Sequence, residues 1–295
     1  MRSRVLTGLI ITAAVVLAGA ASYWVYERAQ RPRGAMASAP ESRDAVKNSD
    51  AEPTGREGAP GNSIETKGGA AHLDSGVSLR AGEVLEYSAD VAKLTNVANL
   101  RLQVAGRPDF QGKRVWHLRA FAHTENPLRI VFELDDQFDS YSDPDTLSSL
   151  QYEMHLNERG QKVDSVQRMT ISGKEPAPAN VTETRVLPGT RDPLGLMQYL
   201  RSVDWQKTAE VRGPVYDGHK LYDVRASYAN SSEAVSVPAG NYRATKIDIH
   251  VFDQGAELKD ARFTLYLANN TTHTPVLLEA VMPFATARVQ LVKAR

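Results

Sequence analysis

The sequence predicts a mainly β domain, a large curved antiparallel sheet or open barrel-like sandwich with one helix packed on it. Three observations carry this reading. Apolar and polar residues alternate with period two from about Val77 almost to Arg295. Turn-forming residues such as Asp217-Gly218 recur at short intervals. A single segment, about residues 193–203, carries a capped helical pattern. An N-terminal transmembrane helix or signal segment and a disordered linker are expected to precede the domain.

Arg2 and Arg4 are followed by an uncharged apolar run from Val5 to Tyr26. As a helix, a run of about 22 residues rises about 33 Å, enough to cross a hydrocarbon core, with the basic end cytoplasmic. Two readings fit residues 1–26. Ala18-Gly19-Ala20 would serve as a signal-peptide cleavage site, whereas the continuation through Tyr23, Trp24 and Tyr26 resembles the aromatic belt of a retained anchor. Either reading exports the rest: an inner-membrane-anchored periplasmic domain, or a protein released to the periplasm of the bacterial envelope after cleavage behind Ala20. Residues 27–76 are rich in Ala, Gly, Pro, Ser and Glu and nearly free of large apolar side chains. They cannot bury enough surface to offset their ordering entropy, and read as a disordered tether.

The ordered domain is expected over 77–295. Leu85, Tyr87, Ala89 and Val91 share one face of a first strand, Leu100, Leu102 and Val104 of a second, and Trp116, Leu118, Ala120 and Ala122 of a third. Ile130, Phe132 and Leu134 predict a fourth strand. Tyr152, Met154 and Leu156 continue the pattern into a turn at Glu158-Arg159-Gly160-Gln161. Asp143-Pro144-Asp145 predicts a short helical turn carrying Leu147 and Leu150. The main helix has Asp192 as N-cap, Pro193 at its first position, and Leu194, Leu196, Met197, Leu200 and Val203 behind them. After the Asp217-Gly218 hairpin, Pro238-Ala239-Gly240-Asn241 and Asp253-Gln254-Gly255 mark further turns. The remaining strands carry Ile247, Ile249 and Val251, then Phe263, Leu265 and Leu267, then Val276, Leu278, Ala280 and Met282, and lastly Val289 and Leu291.

Composition bounds the function. The 295 residues are 42% hydrophobic and 24% charged with a net charge of zero, which implies no nucleic-acid partner. The chain has no cysteine, so disulfides, thiolate nucleophiles, thiolate-ligated zinc and a lipidated cysteine are excluded.

Several residue orders resemble the bacterial domain of unknown function 3108. They are Gly82-Glu83-Val84-Leu85-Glu86-Tyr87, Asp192-Pro193-Leu194 with Tyr199-Leu200-Arg201, and Asp217-Gly218 with Lys220 and Tyr222. Ala239-Gly240 with Tyr242 and Ala244, Leu265-Tyr266-Leu267 and Thr274-Pro275-Val276 extend the likeness over about Val77 to Arg295. The resemblance implies an exported β-rich protein with no established catalytic residues. Tyr266 stands where that family often has tryptophan.

The residues themselves offer few sites. Asp135, Asp136, Asp139, Asp143 and Asp145 could supply oxygen ligands to calcium, but lack the glycine and terminal glutamate of the helix-loop-helix motif. His117 and His123 share a polar strand face with Arg119 between them; six residues of strand, about 20 Å, part them too far for one metal ion. His155, His219, His250 and His273 lie singly. No Gly-x-Ser-x-Gly elbow is present, and Ser172-Gly173-Lys174 lacks the upstream glycine of a phosphate loop. Trp116 reads as core; Trp205, Tyr199 and Tyr228 are candidates for lining a ligand cleft. Small inward residues, Ala120 and Ala122, would leave room inside the sheet.

These features favour a non-catalytic binding or assembly module that needs no cofactor. Its partners would be the membrane through residues 5–26, and a lipid, glycan or envelope protein. A structural interaction protein with a filled core and a hydrolase with an unrecognised site are the alternatives.

Overall fold

A computed structural model describes residues 79–171, 178–259, 262–282 and 285–295. The anchor or signal reading of 1–26 and the tether reading of 27–76 lie outside the described residues. No helix among the described residues is long and apolar enough to cross a membrane.

The chain order is β1 (Val84–Val91), β2 (Leu94–Gly106), β3 (Asp109–Phe110), β4 (Lys113–Arg114), β5 (Trp116–Thr124), helix α1 (Leu128–Val131), β6 (Asp135–Ser142), β7 (Ser149–Glu158), β8 (Gln161–Thr170) and β9 (Thr182–Arg185). Helix α2 (Pro193–Ser202) follows, then β10 (Glu210–Tyr216), β11 (Leu221–Val237), β12 (Gly240–Asp253), β13 (Ala256–Glu257), β14 (Arg262–Ala268), β15 (Pro275–Val281) and β16 (Thr286–Ala294). All but the β3–β4 ribbon belong to one sheet, ordered β10-β11-β12-β14-β15-β16-β1-β2-β5-β6-β7-β8-β9, with β13 paired to β12. Every ladder is antiparallel except that of β8 with β9. The predicted mainly β class and the helix at about 193–203 are what the structure shows.

The alternation read from the sequence sorts the faces. Tyr87, Ala89, Leu118, Ala120, Ala122, Met154, Ile247, Leu265 and Leu291 are buried in one continuous core. Such burial contributes roughly 25 cal/mol per Å² of apolar surface, and a sheet this long must curl to achieve it.

The curl brings the two outer edges together without a continuous ladder. Val186 N–H donates to Thr170 O beside β8, while five residues later Arg191 N–H donates to Pro214 O and Arg191 O accepts from Tyr216 N–H on β10. One backbone segment thus touches both edges of the sheet. Above it, the Gln167 amide on β8 donates to Gly218 O in the β10–β11 hairpin at 2.6 Å.

One local expectation is corrected and another is met in part. The stretch from Ile130 to Leu134 is not a strand: Leu128–Val131 forms α1, and Ile130 is 80% exposed while Phe132 and Leu134 are buried. Its period-two spacing is met by a single helical turn that leaves Ile130 on the outside and then extends. The turn expected at Asp143 is present at residues 144–146 but goes no further, with Leu147 at φ +56° and Leu150 already in β7. The Asp143 carboxylate takes the Asp145 and Thr146 N–H groups as an N-cap does, and Leu147 N–H reaches Asp143 O at 3.0 Å, but the positive φ of Leu147 ends the turn there.

Candidate functional site

Helix α2 lies across one end of the curled sheet, and polar ties fix both of its ends. Asp192 is the N-cap: Oδ1 accepts from the N–H groups of Leu194 and Gly195 at 2.8 and 2.9 Å, as expected for this position. Oδ2 accepts from the hydroxyls of Ser140 and Ser149, both at 2.5 Å. The cap therefore also joins the helix to β6 and β7. Burial pushes the Asp192 carboxyl up, while these four donors pull it back down. A Cβ on Gly195 would stand 3.0 Å from Leu147 O, so a larger residue there would press the first turn a few tenths of an ångström away from the β6–β7 connection.

At the other end Arg201 is 1% exposed. Its guanidinium donates to both Glu83 oxygens at 2.8 and 2.9 Å, to Gln198 at 2.8 Å and to Thr272 O at 2.9 Å. A buried arginine is tolerable only when its donors are met in this way. His273 Nδ1–H donates to Arg201 O at 2.9 Å, which ties the helix end to the β14–β15 turn.

Between α2 and the sheet lies a slot of about 40 Å³. Leu194 and Met197 roof it, and Leu100, Leu102, Leu265 and Leu277 are among its walls. Tyr87 also lines it, but the hydroxyl is spent on Pro275 O at 2.9 Å and burial raises its pKa. Apart from that phenol, the lining side chains offer only carbon and one sulfur to an occupant.

A profile described as "Protein of unknown function (DUF3108)" matches residues 86–292. The chain belongs to this family. A comparison with curated proteins finds no match. Among solved structures, a β-barrel-like protein of the domain of unknown function DUF1849 from Brucella abortus shares 12% identity over 74% of this chain and 98% of its own, with a TM-score of 0.47. A suggested lipoprotein from Parabacteroides distasonis shares 12% identity over 76% and 100%, with a TM-score of 0.35. A suggested exported protein from Bacteroides fragilis shares 11% identity over 76% and 99%, with a TM-score of 0.29.

In this DUF3108 chain the residues that carried the resemblance have structural tasks. Glu83, Asp192 and Arg201 hold α2, and Pro275 accepts the Tyr87 hydroxyl. Asp217 takes the His219 and Lys220 N–H groups at 2.7 Å each, which shapes the hairpin around Gly218.

The aromatic candidates separate. Trp205 is buried and its indole N–H donates to Leu200 O at 2.9 Å, closing the C-terminal end of α2. Tyr199 stacks on the Arg191 guanidinium, 3.6 Å from the ring centre, and faces a smaller space of about 10 Å³ toward β10. Tyr228 sits on β11 at 37% exposure. None of the three lines the slot. Trp116 is half-buried beneath the Arg107 guanidinium, 4.8 Å from its ring centre.

The acidic candidates divide between faces. Asp135 pairs with His123 and Arg129, Asp143 and Asp145 lie in the turn, and Asp136 is buried with Oδ1 on Asn157 N–H. Asp139 accepts from His117, Arg119 and Gln137, which hold its carboxyl down at about 2 against its burial. His117 and His123 each take their own carboxylate. His250 pairs with Glu257, and His155 with Asp164. Glu153, which nothing in the sequence singled out, stands opposite Asp139 on the neighbouring strand.

Proposed function

We propose that this DUF3108 domain is a non-catalytic binding module of the bacterial cell envelope that takes the end of an acyl chain into the slot beneath α2. It is held beside the membrane by residues 5–26, or freed into the periplasm by cleavage behind Ala20. The observation that carries the reading is the slot itself: apolar walls, a Met197 roof that can adapt, and a helix tied at both ends. About 40 Å³ has room for roughly three water-sized groups, which suits a chain terminus and falls far short of a whole lipid. A hydrolase would need a titratable pair in the slot, and Tyr87 is the single titratable side chain among its lining residues. Full burial of the inward alanines Ala89, Ala120 and Ala244 favours the second reading, a structural interaction protein with a filled core.

Native mass spectrometry of the full chain purified from its own envelope separates the two. An acyl-bearing molecule bound to the natural chain and lost from Leu102→Trp, with the fold kept by circular dichroism, is the expected result. A chain that stays empty after incubation with envelope lipids would overturn it.

A further inference from the structure

We propose that Asp139, Glu153 and His155, on the outer face of β6 and β7, form a binding site for a divalent transition cation, with Zn²⁺ as its probe. The site is separate from the slot and independent of the acyl-chain reading.

The strands bring the donors together by register. Asp139 pairs with Glu153, Gln137 pairs with His155, and side chains two apart on β7 share a face. One donor atom from each of Asp139, Glu153 and His155 lies within 4.8 Å of the other two. His155 Nε2 and Glu153 Oε2 are 3.6 Å apart. That is long for a hydrogen bond, whereas two donors at 2.0–2.1 Å on one tetrahedral zinc ion lie about 3.4 Å apart.

Each donor is also oriented from behind. Asp164 engages His155 Nδ1 at 2.7 Å, which turns Nε2 toward Glu153. Gln151 donates to Glu153 Oε1 at 2.6 Å and leaves Oε2 to the site. Gln137 donates to Asp139 Oδ2 at 2.6 Å, while His117 and Arg119 occupy Oδ1. A carboxylate offers about four lone-pair positions, so three donors leave Asp139 one for a cation. Metal-binding histidines and carboxylates are characteristically held by such outer partners.

Charge favours a cation as well. Asp139, Glu153 and Asp164 carry three negative charges, and Arg119 returns one positive charge in contact with Asp139. The His155 side chain is 38% exposed and that of Glu153 17%, so the ion has a path from solvent and water can complete its shell.

Titration calorimetry of the full chain with Zn²⁺, after exhaustive chelation, tests the proposal. One ion per chain is expected. His155→Ala and Glu153→Gln should each weaken binding at least tenfold, and Asp164→Asn, which acts only through His155, about 10- to 100-fold. His250→Ala, whose imidazole is engaged by Glu257, should leave the affinity unchanged. Absence of saturable binding, or an affinity that survives both His155→Ala and Glu153→Gln, would overturn the assignment.

Discussion

Asp192 shows how far one side chain can be read from its neighbours. Its capping role follows from Asp192-Pro193 alone, because the first-turn N–H groups need an acceptor and proline needs none. The second half of its work, accepting from Ser140 and Ser149, was illegible, since those serines lie 52 and 43 residues away. Asp192→Ala should therefore cost more than a surface cap, about 2–4 kcal/mol, because it strands two buried hydroxyls as well as two helix N–H groups. Urea unfolding with an unchanged slope checks this, and a loss under about 1 kcal/mol would mean that water replaces the carboxylate. Arg201 and Glu83 teach the same lesson: both stood in motifs quoted for the family likeness, yet nothing in the sequence joined residues 118 apart.

Elements were legible where the signal was local. The hairpins at Glu158-Arg159-Gly160-Gln161 and Asp217-Gly218 form as their turn residues require, with Arg159 at φ +49° and Gly160 at φ +75°. At Gly218, φ is +98° and an added Cβ would lie 2.5 Å from Met154 Sδ. Gly112, at φ +75°, has nothing within 4 Å of the same atom. Gly112→Ala should cost only backbone strain, about 1 kcal/mol, and Gly218→Ala that strain plus displacement of Met154, about 2–3 kcal/mol. Thermal unfolding of the two variants reads the difference, and equal losses would show that Met154 moves aside freely. Where the signal was ambiguous the element was misread. Ile130, Phe132 and Leu134 satisfy a strand's period, but one helical turn followed by extended chain buries Phe132 and Leu134 equally well.

The whole sheet was the least legible level, because strand order depends on partners far apart in the chain, and residues 182–191 serve both edges. Its buried side has an electrostatic consequence. Burial and the neighbouring Asp135 charge raise Asp136 to about 6, and burial and the Asp136 charge raise Glu158 to about 8. Unfolded carboxyls titrate near pH 4, so between about pH 4 and 8 the folded chain binds more protons than the unfolded one. Stability therefore falls as pH rises through that window. Glu158→Gln should flatten the decline between pH 5 and 8 in urea unfolding, and a decline as steep as in the natural chain would reject this origin.

The pairing of β1 with β16, Leu85 beside Ala294 and Val84 N–H on Arg295 O, bears on the timing of biogenesis. β1 is made long before β16, so that edge stays uncovered until β16 has been made. Throughout that interval its free backbone groups are exposed to other chains, so the safest moment for this sheet to form is after β16 has emerged.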